Sequence, residues 1–246
     1  MLRSVPGRRG ELLQCGRSVP LTFAAMHIVS QHKPMGEAGE DIRSFTMSDE
    51  RAPGIIRKLW PGEVQIFREH LLRLDTETRR SRFGSAVSDE FITHYSERVF
   101  RSGSVVHGCF VDGVLRAAAE LYPFSEILPT EGEAAFSVEA AFQNLGLGTL
   151  LMSRTVLCAR NRGIRTLHMS CLARNRRMQQ IARKFDADFT FETDEVVAQL
   201  KAPFPTLASL TREATADAQG MAGALFQAQW TAGQRMLSLV LSPTGA

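Results

Sequence analysis

The spacing of hydrophobic and polar residues becomes regular from residue 54 onward and predicts alternating strands and helices. Apolar residues that recur every three or four positions indicate helices, and short apolar runs bounded by turn residues indicate strands. Pro61 suits the first turn of one helix, Ser88 suits the N-cap of another, and Asp112-Gly113 between two apolar runs predicts a tight hairpin. We therefore expect strands at 54–60, 104–111, 114–122, 133–142, 164–172 and 188–193, and helices at 61–74, 88–101, from the glycines at 146 and 148 through 162, and 175–185.

Strands that alternate with helices after a hairpin predict an α+β or α/β sheet with helices on its faces. We expect this domain at 48–202. Residues 1–47 show no sustained period and are rich in arginine, so we expect an N-terminal appendage, either disordered or presequence-like, or produced by a start codon assigned upstream of Met47. Residues 203–246 begin with two prolines and continue into an alanine-rich stretch, which we expect to be a helical C-terminal extension.

Composition narrows the class of protein. The chain is 44% hydrophobic and 22% charged, which is ordinary for a globular protein, and its net charge of +3 does not by itself predict nucleic-acid binding. It has no run of about 18 apolar residues, so we expect no transmembrane helix and no membrane partner. The four cysteines form no CxxC pair and no cysteine–histidine spacing typical of a metal site. We expect buried thiols in a reducing compartment, a cytoplasmic protein and no bound metal.

The segment FQNLGLGTLLMSRTVLCARNRG, residues 142–163, places two glycines just before a hydrophobic helix. A P-loop is excluded because no lysine follows Gly148. A dinucleotide fingerprint is excluded because Leu151 stands where the third glycine belongs and no acid occurs between Glu139 and Asp186. The helix N-terminus still offers backbone N–H groups to an anion, and Gly146 and Gly148 remove side chains that would block it.

The whole segment resembles motif A of the GCN5-related N-acetyltransferases, the GNAT superfamily. A strand that ends in SVEAAF runs into Gln143-Asn144-Leu145-Gly146-Leu147-Gly148-Thr149 and then into a helix, and a strand, an asparagine and a second helix follow. The resemblance implies the GNAT fold, which has a central mixed, mostly antiparallel sheet with helices on both faces and splayed middle strands. It also implies acetyl-CoA as the acyl donor, with its pyrophosphate held by residues 143–149.

A run of basic residues supports an anionic ligand. Residues 160–184 hold eight arginines or lysines and no acid. A solvated helix face is the alternative for any one of them. The cluster that could face the 3′-phosphate of the cofactor comprises Arg174, Arg176, Arg177, Arg183 and Lys184.

The resemblance further implies how the acetyl group is held and attacked. The pantetheine arm is expected to pair with strand backbone near Phe136, Ser137 and Val138, where an N–H group would polarise the thioester carbonyl. Glu133 is the candidate base, because several family members carry a catalytic glutamate near this position. Glu131 and Glu120 are rivals, and the alternative for Glu133 is an exposed charge at the end of a strand.

The acid that protonates the leaving thiolate is not evident. The family's tyrosine position falls on Ala182, and the chain contains only Tyr95 and Tyr122. A thiolate of pKa about 8.5 can leave without help, so activity does not require that tyrosine. Asn175 is expected to contact the cofactor, to cap the following helix, or both.

The acceptor is not identified by the sequence. Leu74, Thr78, Arg82 and Phe83 weakly resemble a segment of bacterial protein lysine acetyltransferases that borders the acceptor site, although a structural turn with Arg82 paired to a carboxylate and Phe83 in the core is the alternative. We expect an acetyl-CoA-dependent N-acetyltransferase that acts on a small-molecule amine. The alternatives are a protein lysine acetyltransferase and a non-catalytic acyl-CoA-binding regulatory module. Nucleic-acid binding is disfavoured by the few aromatic stacking residues, and a homodimer could form through 235–241.

Overall fold

The computed structural model describes residues 54–241, and the appendage expected at 1–47 lies outside the described residues. The strands are β1 (Ile55–Lys58), β2 (Val105–Val111), β3 (Val114–Pro123), β4 (Glu131–Val138), β5 (Thr166–Leu172), β6 (Asp188–Phe191) and β7 (Glu195–Lys201). The helices are α1 (Val64–Arg73), α2 (Thr76–Phe83), α3 (Asp89–Arg101), α4 (Leu147–Asn161), α5 (Arg176–Lys184) and α6 (Leu207–Leu241), with short 3-10 turns at Pro61–Glu63 and Ala140–Phe142.

Capping and turn residues begin or end several helices and strands where the sequence predicts. The Ser88 side chain accepts a hydrogen bond from the Phe91 backbone and caps α3. Asp112 and Gly113 both adopt positive φ, 50° and 76°, as a tight hairpin between β2 and β3 requires. Gly163, with φ 80°, ends the turn that follows α4.

The seven strands form one sheet in the order β1-β2-β3-β4-β5-β7-β6. Every neighbouring pair is antiparallel except β4 and β5, which are parallel. The β4–β5 register comprises only Glu131–Thr166, Gly132–Leu167 and Glu133–His168, after which the two strands separate. The mixed, mostly antiparallel sheet with splayed middle strands is therefore confirmed.

Both faces of the sheet are covered. On one face, apolar residues of α1 and α3 such as Phe67 and Ile92 pack with Val106 and Ala118. On the other face, Leu151 of α4 packs with Ala117 and Ala119. Because side chains alternate along a strand, each residue of β4 is assigned to one of these two layers.

One strand prediction is wrong at its end, and one strand was not predicted. The strand expected at 133–142 ends at Val138, because residues 140–142 form a 3-10 turn that redirects the chain toward the glycine loop. Strand β7 was not predicted, although Val196, Ala198 and Leu200 alternate with more exposed residues. It lies between β5 and β6, so β6 is one of the two edge strands of the described sheet, with β1 at the other edge.

Helix α6 packs along β1 at two glycines. A Cβ on Gly220 would lie 2.5 Å from the Ile56 carbonyl oxygen, and one on Gly223 would lie 3.1 Å from the Ile55 side chain. Salt-bridged Arg162 and Glu213, 2.8 Å apart, join the end of α4 to the same helix. The boundaries at 48, 202 and 203 stay predictions, as does the homodimer.

Replacing Gly220 with alanine tests this helix–strand contact. The new methyl group would collide with a backbone oxygen that cannot swing away, so we expect Gly220→Ala to lower the free energy of unfolding by about 1–3 kcal/mol. Gly233→Ala is the matched control, because nothing lies within 4 Å of its Cβ position. That variant should gain up to about 1 kcal/mol from helix propensity. Urea denaturation measures both values, and an equal gain in the two variants would contradict the docking of α6 on β1.

Candidate active site

A cleft of about 640 Å³ lies along the part of β4 that is no longer paired with β5. Its walls come from α2, the second half of β4, the loop before α4, the first turn of α4 and one side of α5. The residues that line it include Phe136, Ser137, Val138, Gln143, Asn144, Gly146, Leu147, Gly148, Thr149 and Asn175. Ten of the predicted cofactor-binding positions therefore meet in one cavity, and Leu145 is an exposed neighbour on the loop.

The loop directs an uncapped helix end toward this cleft. Asn144 and Gly146 adopt left-handed conformations, with φ of 64° and 83°. Gly146 is the N-cap of α4 and supplies no side-chain acceptor, so the helix's first N–H groups have no cap. Open N–H groups and the helix dipole favour an anion at this point.

The two glycines differ in what they permit. A Cβ on Gly146 would meet nothing within 4 Å, so its role is conformational. A Cβ on Gly148 would lie 2.8 Å from Cδ1 of Ile181, so Gly148 lets α4 and α5 approach each other. The expectation that both glycines act by clearing a path for an anion is therefore too simple.

Gln143 ties the loop to the strand. Its Nε2 donates to the Val138 carbonyl at 3.0 Å and to Oγ1 of Thr78 at 3.3 Å, and its Oε1 accepts from Arg177. The side chain thus occupies a structural position between β4, α2 and α5. This arrangement fixes the end of β4 that faces the gap.

Positive charge is concentrated on one side of the cleft. Arg174, Arg176, Arg177 and Lys184 line it, whereas Arg183 lies over the Phe189 ring, 5.1 Å from its centroid. Asn175 caps α5 by accepting a hydrogen bond from the Met178 N–H at 3.1 Å. One predicted role of Asn175 is therefore observed, and four of the five basic residues share the cavity.

The three candidate carboxylates lie in different environments. Glu133 is 8% exposed, so an exposed strand-end charge is wrong for it. Glu120 accepts hydrogen bonds from Arg82 and from Tyr95, each at 2.6 Å. Glu131 is exposed and lies 2.9 Å from Nε2 of His168. Glu120 and Glu133 are thus both buried, and the charge of Glu133 also raises the pKa of Arg82.

Arg82 carries a buried charge beside the cleft. Burial lowers its pKa, but the charges of Glu120 and Tyr95 outweigh burial and the pKa is raised. Its Nε and Nη1 have no hydrogen-bond partner. Arg82 is paired with a carboxylate and Phe83 lies in the core, as the structural alternative for this segment predicts.

Sequence reasoning missed a hydrogen-bonded chain behind β4. Nε2 of His70 lies 2.9 Å from Oγ of Ser137, and Nδ1 of His70 lies 3.3 Å from Oε1 of Glu139. Arg73 and Arg116 also bind Glu139, at 3.0 and 2.9 Å. These residues are far apart in sequence and match no motif, so no local signal indicates the contact.

Ala182 occupies the family's tyrosine position and is buried in the core. Tyr95 is held by Arg82 and Glu120, and burial raises its pKa well above the usual value despite the opposing charge of Arg82. Neither residue presents a ready proton donor in the cleft.

A second cavity, of about 720 Å³, lies between α4 and α6 and is lined by residues such as Leu150, Arg154 and Arg212. It is bounded by helices and contains no strand edge. Among residues 54–241, no group of histidine, cysteine or acidic side chains is arranged to hold a metal ion, and no helix is long and apolar enough to cross a membrane.

Comparison with known proteins agrees with this architecture. Residues 68–186 match the model of the acetyltransferase (GNAT) family. The GNAT domain of S. lividans PAT is 19% identical, with a TM-score of 0.52, and the match covers 59% of this chain and 89% of that domain. A Salmonella typhimurium protein solved with its cofactor acetyl-CoA is 17% identical, with a TM-score of 0.48, and the match covers 62% of this chain and 96% of that one.

No curated protein matches the chain in sequence. At 19% identity, the S. lividans domain shows a shared fold alone. The splayed middle strands and the glycine loop both lie within residues 68–186, the part of this chain that matches the GNAT acetyltransferase family.

Proposed function

We propose that this protein transfers an acetyl group from acetyl-CoA to an amine, with the donor bound in the cleft between β4 and β5. The observation that carries the proposal is that the cleft joins an uncapped helix N-terminus to the unpaired edge of a strand. The helix end suits the pyrophosphate, and the strand edge suits the amide groups of the pantetheine arm. Arg174, Arg176, Arg177 and Lys184 would add favourable charge for the phosphates.

The thioester would lie against the second half of β4. Residues 134–138 pair with β3 on one side, whereas the β4–β5 register stops at Glu133. An N–H group of Phe136, Ser137 or Val138 that points into the gap would donate to the thioester carbonyl. Such a donor stabilises the negative charge that develops on that oxygen during attack.

Glu133 would remove a proton from the acceptor's ammonium group. It lies at the last β4–β5 register pair and is buried, and it does not itself line the cleft. Phe136 is three residues further along the strand, a span of about 10 Å, so the proton would pass through ordered water. The thiolate of CoA would leave without the family's tyrosine, because thiols of pKa about 8.5 are good leaving groups.

The acceptor we favour is the amine of a small molecule. A protein lysine is the second candidate, because Thr78 and Arg82 of the segment that resembles protein lysine acetyltransferases line the same cleft. A non-catalytic acyl-CoA-binding module is the third, and it would bind acetyl-CoA without releasing CoA to any amine. Release of CoA with a panel of small amines and lysine peptides distinguishes the three.

The charged side of the cleft gives the first test. We expect Arg177→Ala to weaken acetyl-CoA binding about tenfold, because it removes one charge-assisted contact worth about 1.4 kcal/mol and also releases Gln143. Arg183→Ala is the matched control, since Arg183 lies over Phe189 outside the cleft, and its affinity should change less than about twofold. Isothermal titration calorimetry measures both. Equal losses in the two variants would contradict this location of the cofactor.

The base assignment gives the second test. Glu133→Gln should lower kcat by about 10²–10⁴-fold, because a positioned base is lost, while acetyl-CoA still raises the melting temperature. Glu131→Gln is the control two residues away, and its kcat should stay close to wild type. A loss in Glu131→Gln with none in Glu133→Gln would transfer the role of base to Glu131.

A further inference from the structure

The Ser137–His70–Glu139 chain has the geometry of an activated hydroxyl. The Ser137 hydroxyl, the imidazole of His70 and the Glu139 carboxylate follow one another at 2.9 and 3.3 Å. This order, a hydroxyl, a base and a carboxylate that orients the base, is the one used in nucleophilic catalysis. The proposed function makes no use of His70 or Glu139, nor of the Ser137 side chain.

The protonation states suit that role. Burial raises the pKa of Glu139, but hydrogen bonds from His70 and Arg116 and the charge of Arg73 outweigh it and lower the pKa to about 2. Glu139 is therefore an anion at neutral pH. Burial lowers the pKa of His70 despite the charge of Glu139, so the imidazole is neutral. The anion accepts the proton on Nδ1, which leaves Nε2 to accept the Ser137 hydroxyl proton.

The Ser137–His70–Glu139 chain is held rigidly by two arginines. Arg73 donates to Glu139 from α1 at 3.0 Å, and Arg116 donates from β3 at 2.9 Å. His70 is fully buried, so its ring cannot turn toward solvent. The positive charges of Arg73 and Arg116 partly offset the negative charge of Glu139. These contacts therefore fix the orientation of the three groups relative to one another.

Ser137 also lies where the donor is proposed to bind. It lines the cleft, and its backbone belongs to the stretch proposed to hold the thioester carbonyl. Its neighbour across the β3–β4 register is Ala118, so no polar cross-strand partner accounts for the hydroxyl. With the donor bound as proposed, a hydroxyl at this point would lie beside the carbonyl carbon of the acyl group.

We propose that Ser137 is an acylation site, at which its hydroxyl takes the acyl group from acyl-CoA with His70 as base and Glu139 as the group that orients His70. This inference rests on the proposed function, because it requires the thioester in the cleft. Oγ of Ser137 forms a bond to the carbonyl carbon, and the carbon–sulfur bond breaks. Nε2 of His70 accepts the hydroxyl proton and returns it to the departing thiolate. The products are an O-acyl serine and free CoA.

The test uses the full chain and radiolabelled acetyl-CoA without any amine. We expect label on the protein with an equal amount of free CoA, and peptide mass spectrometry should locate one acetyl group on Ser137. The label should be released by hydroxylamine, which cleaves an ester and leaves an acetyl-lysine amide intact. Label confined to lysine, or none on Ser137 while acetyl-CoA binds, would overturn the proposal.

Variants separate nucleophilic chemistry from a structural role. Ser137→Ala keeps the backbone N–H and should lose the hydroxylamine-labile label, whereas Ser137→Cys should keep it as a thioester. His70→Gln should slow labelling at least tenfold in a chain whose cooperative unfolding shows that it is folded. Undiminished hydroxylamine-labile label in Ser137→Ala would contradict the assignment.

A measurement of acetyl-CoA binding distinguishes failure of the acylation site from failure of the proposed function. If acetyl-CoA does not raise the melting temperature of the wild-type chain, both proposals fall. If acetyl-CoA binds and amine-dependent CoA release depends on Glu133 while Ser137 stays unlabelled, only the acylation site is overturned.

Discussion

The separation of β4 from β5 is the constraint on which the rest of the site depends. Three register pairs hold the strands together, and beyond Glu133 the β5-facing edge of β4 has no neighbouring strand in the described sheet. Buried backbone N–H and C=O groups are costly when unpaired, so such an edge needs a partner. Gln143 satisfies the Val138 carbonyl at one end, and a ligand that carries amide groups would satisfy the remainder.

The same separation orders the chemistry along the strand. Glu133 stands where the gap begins, and Gly146 begins the helix at the open end. A molecule with phosphates at one end and an acyl thioester at the other can therefore meet the helix N-terminus and β4 at once. Alternation of side chains directs Glu133 and Ser137 to the same face, which is the face that α1 and α2 cover.

Interactions between residues that are close in sequence made much of this fold predictable. Asp112-Gly113 and Ser88 act within a few residues of themselves, so the hairpin and the α3 cap follow from sequence alone. The glycine loop was recognisable because its spacing and its flanking elements occur together. Nine of the ten loop and strand positions from 136–138 and 143–149 line the predicted cavity for that reason.

The features that sequence did not predict depend on distant partners. His70 contacts Ser137 across 67 residues, and nothing near His70 in sequence indicates that contact. Gly148 was interpreted as a phosphate-binding glycine, because the sequence does not show that Ile181 of another helix packs against it. Strand β7 follows β6 after a short turn, and its polar positions obscured an alternation that only pairing with β5 makes evident.

Amide hydrogen exchange with and without acetyl-CoA tests the central claim, that the donor fills the gap between β4 and β5. The account predicts slower exchange at residues 134–138 and 144–149 when acetyl-CoA is bound, with little change in the hairpin of β2 and β3. Unchanged exchange at those two segments, or protection confined to the cavity lined by Leu150, Arg154 and Arg212, would contradict it.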